Sequence, residues 1–87
     1  MIEFDWEKCR RNIVERGLSF ERVTEVDLTT ALISHDDRQN YGEDRYVALC
    51  HLDERLHVLC FTETAHGIRV ISFRKANKRE VLRYEKK

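Results

Sequence analysis

GIRVISFRKANKREVLRYEKK, residues Gly67 to Lys87, decides the fold, because here an apolar strand carrying arginines runs into a basic helix. Ile68, Val70 and Ser72 alternate with Arg69, Ile71 and Phe73, so a strand sends the two sets to opposite faces of a sheet. Both sets contain apolar residues, which predicts that both faces are at least half covered. Asn77 followed by Glu80 marks a helix start: the Asn oxygen accepts a free backbone N–H while the Glu reaches back. The helix expected over Lys78 to Tyr84 turns Val81, Leu82 and Tyr84 to the sheet and Lys78, Arg79 and Arg83 to solvent.

The same stretch carries eight Lys/Arg against two acids, a local charge of +6, while the whole chain balances 16 bases with 16 acids. The remainder is therefore −6, and the molecule is expected to be dipolar, drawing an anionic partner such as phosphate to one end. Solvation of a terminal helix accounts for many such runs. Arg69 and Arg74 lie on the strand itself, however, where an arginine needs a partner.

Working outward, the preceding segments read as a hairpin. Arg45 to His51 and Leu56 to Thr62 are apolar runs on either side of the polar turn LDER, and neither is cleanly polar on one side. Leu28 to Ser34 reads as a further strand, followed by the loop HDDRQNYGED. Towards the N-terminus, a short apolar strand near Phe4 leads to Asp5, which caps a helix from Trp6 to Arg16 that Gly17 ends. Trp6, Cys9 and Ile13 form its expected core stripe, with Lys8, Arg11 and Glu15 on a charged face. Ser19 caps a second short helix with Phe20, Val23 and Val26 at three-residue spacing. The pattern predicts an α+β domain spanning 1–87: two N-terminal helices, a four-stranded antiparallel meander and a C-terminal helix.

With 87 residues, 41% hydrophobic and 37% charged, the chain suits one soluble domain with a small core and argues against disorder. No apolar run approaches the roughly 20 residues of a membrane span, and MIEFDWEK does not read as a signal peptide, so a cytoplasmic location is expected. Cys9, Cys50 and Cys60 lack CxxC spacing and read as buried thiols. The four histidines show no HExxH pattern, so neither metal nor cofactor is expected.

These residues together resemble the BrnT-type toxins, the toxin half of a bacterial type II toxin–antitoxin pair with a RelE-like fold. The likeness runs through Phe4-Asp5-Trp6-Glu7-Lys8, Asn12, Gly17-Leu18-Ser19-Phe20-Glu21, Gly42-Glu43-Asp44-Arg45-Tyr46, Arg69 to Ala76, Glu80 and Tyr84. It implies a ribonuclease that stops translation, a neutralising antitoxin of BrnA type, and contact with operator DNA only through that antitoxin. The chain departs from many relatives at Glu15-Arg16, where they carry Lys-His, and at Cys50, where glycine is usual.

RNA supplies its own 2′-hydroxyl nucleophile, so a protein that cuts it need only hold the strand, move two protons and stabilise charge on phosphorus. Arg69 and Arg74 are the candidates for the scissile phosphate, with Arg45 a third, because guanidinium grips phosphate through two coplanar donors. Lys8, Lys75, Lys78, Arg79 and Tyr84 are candidates for RNA binding. The general base is open among Glu63, His51, His57 and a nearby Glu. Arg69 and Arg74 have opposite strand parity, so a bulge or the strand end must unite them, or only one acts. The structural alternative is that the arginines pair with Glu43, Asp44 and Glu63 and hold the sheet edge. At the level of function, the rival is a catalytically inactive toxin-like module that serves operon autorepression with its antitoxin.

Overall fold

The computed structural model describes all 87 residues, Met1–Lys87. In chain order they form β1 (Ile2–Glu3), α1 (Trp6–Arg16), a 3-10 helix (Phe20–Glu25), β2 (Asp27–His35), β3 (Tyr46–Leu52), β4 (Arg55–Thr64), β5 (Gly67–Lys75) and α2 (Lys78–Glu85). The Asp5 carboxylate accepts the Glu7 N–H to start α1, and Gly17, left-handed at φ 65, ends it by donating to the Ile13 carbonyl. Ser19 starts the next element, the second short helix the sequence suggested, and it is of 3-10 type. Its period of three residues stacks Phe20 over Val23, the two side chains it buries, so the spacing read from the sequence was the 3-10 repeat.

The sheet also differs from the expected four-stranded meander. It has five strands in the order β1-β5-β4-β3-β2, and β1 runs parallel to β5 through Ile2 opposite Ile68 and Glu3 opposite Arg69. The meander of β2 to β5 is present, and the N-terminal strand makes the sheet mixed. That addition needs Gly67: a Cβ there would lie 2.0 Å from the Met1 carbonyl oxygen. β3 and β4 join through a two-residue turn with Asp53 (φ 53) and Glu54 (φ 61) both left-handed, which matches the twist of a hairpin.

Between β4 and β5 the register slips: Cys60 faces Ser72, but Phe61 faces Val70, leaving Ile71 as an extra residue on β5. This bulge resets the alternation. Val70 and Phe73, three apart, therefore both enter the core beneath α1 and the 3-10 helix, with Cys9, Phe20, Cys50 and Leu59. A second cluster on the opposite face, Leu49, Leu56, Val58 and Ala76, is covered by Val81 and Tyr84 of α2. Two covered faces explain why β3 and β4 carry apolar residues at consecutive positions, Tyr46 to Cys50 and Val58 to Phe61.

The expected apolar stripe of α1 is corrected. Only Cys9 is buried, while Trp6 is 59% and Ile13 44% exposed. The helix is held at the sheet margin, where the Asn12 amide donates to the carbonyls of Leu18 and Phe73, 2.9 Å each. Cys9, Cys50 and Cys60 are buried free thiols, and burial pushes that of Cys50 up to about 11.

Candidate nucleic-acid interface

Because β1 ends at Glu3, the edge of β5 from Ile71 onward has no strand beside it, and α1 stands over it instead. Helix and edge enclose a groove of about 260 Å³. Lys8, Arg11 and Glu15 reach it at helical spacing, Arg16 closes one end, and Arg74 comes from β5. Four cations thus face one carboxylate. Lys8, Arg11 and Arg16 make no ion pair within the chain, which leaves their charge for an external anion. Arg74 grips both oxygens of Glu80 at 2.9 and 2.8 Å, and that carboxylate holds its guanidinium charged.

The bulge answers the parity question raised by the sequence. Arg69 pairs with Thr62 and Arg74 with Val58, both on the α2 face, so the two arginines share a face after all. Their β4 partners stand four residues apart, about 13 Å along a strand. Each reaches its own carboxylate and lines its own groove.

Arg69 donates twice to Glu43, at 2.8 and 3.0 Å, and Arg45 donates to the same carboxylate at 3.1 Å while lying over the Tyr41 ring. Arg69 first and Arg45 second hold Glu43 below the usual carboxylate range. Glu63 lines a shallow groove with Glu43, Asp44 and Arg69. The structure therefore divides the proposed catalytic set: Arg45, Arg69 and Glu63 gather around Glu43, whereas Arg74 stands with Lys8.

The remaining candidates are scattered. Lys78 and Arg79 are exposed on the first turn of α2. The Tyr84 hydroxyl donates to the Thr30 carbonyl at 2.9 Å, so this side chain docks α2 onto β2. Lys75 is exposed at the end of β5 and lines a separate basin with Arg16, Arg55 and His57. Arg11 and Arg16 escaped the sequence reading as site residues, although Arg11 shares a helical stripe with Lys8. Asp36 also went unremarked. It is buried beside the exposed Arg38, which donates to it at 2.8 and 2.7 Å, and receives the Tyr41 hydroxyl at 3.2 Å, so it folds the loop before β3 back on itself. Arg38 holds this carboxyl far below the ordinary range.

No three of the histidines, cysteines and carboxylates gather closely enough to hold a metal ion. No helix is long and apolar enough to cross a membrane. A family model described as the ribonuclease toxin BrnT of type II toxin–antitoxin systems matches residues 4–80, a span that includes every residue of the α1–β5 groove. No curated protein matches the chain.

Proposed function

The chain belongs to the BrnT family of ribonuclease toxins from type II toxin–antitoxin systems, and from that premise we propose that it is a metal-independent endoribonuclease that binds RNA in the α1–β5 groove. The observation that carries this reading is the meeting of Lys8 and Arg74, from opposite ends of the sequence, in one groove with Arg11 and Arg16. Such a row of cations tracks a phosphate backbone. Arg74 presents a planar donor fork to phosphate, held in place by Glu80, and Lys8 supplies a mobile point charge. The RNA's 2′-hydroxyl attacks the adjacent phosphorus and the 5′-oxygen leaves, giving a 2′,3′-cyclic phosphate. Arg45, Arg69 and Glu63 form the alternative locus for the same step.

Within this reading the toxin acts on cytoplasmic RNA and stops translation. A BrnA-type antitoxin neutralises it by laying an acidic segment along the groove, and operator DNA is reached only through that partner. The test is incubation of the purified chain with RNA in excess EDTA. Fragments ending in 2′,3′-cyclic phosphate are expected; cleavage that EDTA abolishes contradicts metal independence, and intact RNA contradicts the enzyme.

One observation favours the rival, a catalytically inactive module for autorepression: Arg45, Arg69 and Arg74 are each already paired with a carboxylate. A folded chain that binds antitoxin and operator but leaves RNA intact is the result that reading requires.

A further inference from the structure

A basin of about 370 Å³ lies at the end of α1, beyond the groove already described. Its lining includes Arg16, Arg22, Arg55 and Lys75, with Asp53 as the acid, and His57 at its wall. His57 is 3% exposed, stands opposite Lys75 in the sheet, and packs its ring against Phe73 at 5.3 Å. Its Nδ1 is 2.8 Å from the Arg55 carbonyl oxygen, which can only accept, so Nδ1 carries the proton and donates it. Neutral His57 then keeps its lone pair on Nε2. That nitrogen makes no hydrogen bond, and no fully enclosed side-chain nitrogen or oxygen in the chain lacks one, so Nε2 keeps a small accessible surface on a residue that lines the basin.

We propose that His57 is the general base of RNA cleavage, with the scissile phosphate seated beside it on Arg16 and Lys75. The assignment rests on the ribonuclease reading and adds to it the group that moves the proton. Arg22 is taken by Glu25 and Asp53, and Arg55 donates to the Ala76 carbonyl, whereas Arg16 and Lys75 have no carboxylate partner. Arg16 also lines the α1–β5 groove, so a strand held there leads into the basin. In the step itself the 2′-oxygen bonds to phosphorus, its proton passes to His57 Nε2, the bond to the 5′-oxygen breaks, and that oxygen takes a proton from water.

Burial lowers the His57 pKa from 6.5, and the nearby charges of Arg55 and Lys75 lower it further against the Arg55 carbonyl and Asp53, so the imidazole is neutral and ready to accept a proton at neutral pH. His35 and His51 are placed differently. His35 is bracketed by Asp44 and Asp37, which favour its charged form, and His51 packs against Tyr84 on the opposite face.

The test compares the parent with His57→Gln in single-turnover cleavage of free RNA, alongside RNA binding and circular dichroism. Folded His57→Gln should bind RNA as the parent does and cleave at least about 100-fold more slowly, the lower end of a general base's contribution. Cleavage by the folded variant within a few-fold of the parent overturns the His57 assignment and leaves the ribonuclease reading standing. Intact RNA with the parent overturns both. Should His57→Gln fail to fold, pH profiles decide: the parent's rate should rise through a midpoint below 6.5, and Lys75→Ala, which removes a facing cation, should move that midpoint upward. A flat acid limb, or one that Lys75→Ala leaves in place, overturns the assignment.

Discussion

Arg74 is bound twice into the structure, once as a groove cation and once as the partner of Glu80. Glu80 in turn accepts the Asn77 N–H at 2.8 Å, while Asn77 accepts the Glu80 N–H, so the start of α2 hangs on one carboxylate. Arg74 first, then the Asn77 N–H, lower the Glu80 pKa from 4.5, with burial opposing them. A depressed carboxylate stabilises the fold above its unfolded pKa and loses that contribution as pH falls through the folded value. The melting temperature of the parent should therefore fall as pH drops below about 4.5, and Glu80→Gln should start lower at neutral pH and fall less; parallel melting curves from pH 7 to 3 check this. A second residue carries backbone strain. Glu54 sits at φ 61 in the β3–β4 turn, where a non-glycine residue costs roughly 1–2 kcal/mol. Glu54→Gly is expected to raise stability in urea titration by about 1 kcal/mol.

At the scale of elements, the site exists because α1 is fastened to an open sheet edge. Asn12 ties the helix to β5 through the Phe73 carbonyl, 61 residues away, and to the loop after α1 through the Leu18 carbonyl. Asn12→Ala removes two hydrogen bonds and is expected to cost about 1–3 kcal/mol in denaturant titration. It should also weaken RNA binding, because Lys8 and Arg11 ride on the same helix. The bulge at Ile71 is the other determinant. It turns Val70 and Phe73 to one face and Arg69 and Arg74 to the other. The strands, the α1 boundaries and the Asn77–Glu80 cap were legible in the sequence, since periodicity and capping are local. The bulge was not, because an isoleucine in a β-rich run gives no sign that it is the unpaired residue; the sequence could only pose the parity conflict that a bulge resolves. β1 was equally hidden as a sheet member, since two residues carry no periodicity and its pairing depends on the absent side chain of Gly67.

At the scale of the whole molecule, a neutral chain divides into a C-terminal stretch of +6 and a remainder of −6. That separation was readable directly, and so was the candidacy of Lys8 and Arg74. Glu43 was among the carboxylates the sequence offered the arginines, and Arg69 and Arg45 take it, whereas the pairing of Arg74 with Glu80 was not foreseen, because the sequence assigns that carboxylate only to the helix cap. A single-stranded RNA held by cations should lose affinity steeply with salt, with a log–log slope of about −0.7 for each phosphate neutralised. The double variant Lys8→Ala, Arg74→Ala should shallow that slope by about 1.4, as measured by fluorescence anisotropy. For the antitoxin, salt should slow association far more than it changes dissociation.

The most direct measurement is cleavage of RNA in excess EDTA by three proteins checked for folding by circular dichroism: the parent, Lys8→Ala with Arg74→Ala, and Arg45→Ala with Arg69→Ala. If the α1–β5 groove holds the RNA, the first double variant loses most of its RNA binding and, at subsaturating RNA, most of its rate, and the second stays within a few-fold of the parent. Full activity without Lys8 and Arg74, or its loss only with Arg45 and Arg69, would contradict the account and move the site to the Glu43 cluster.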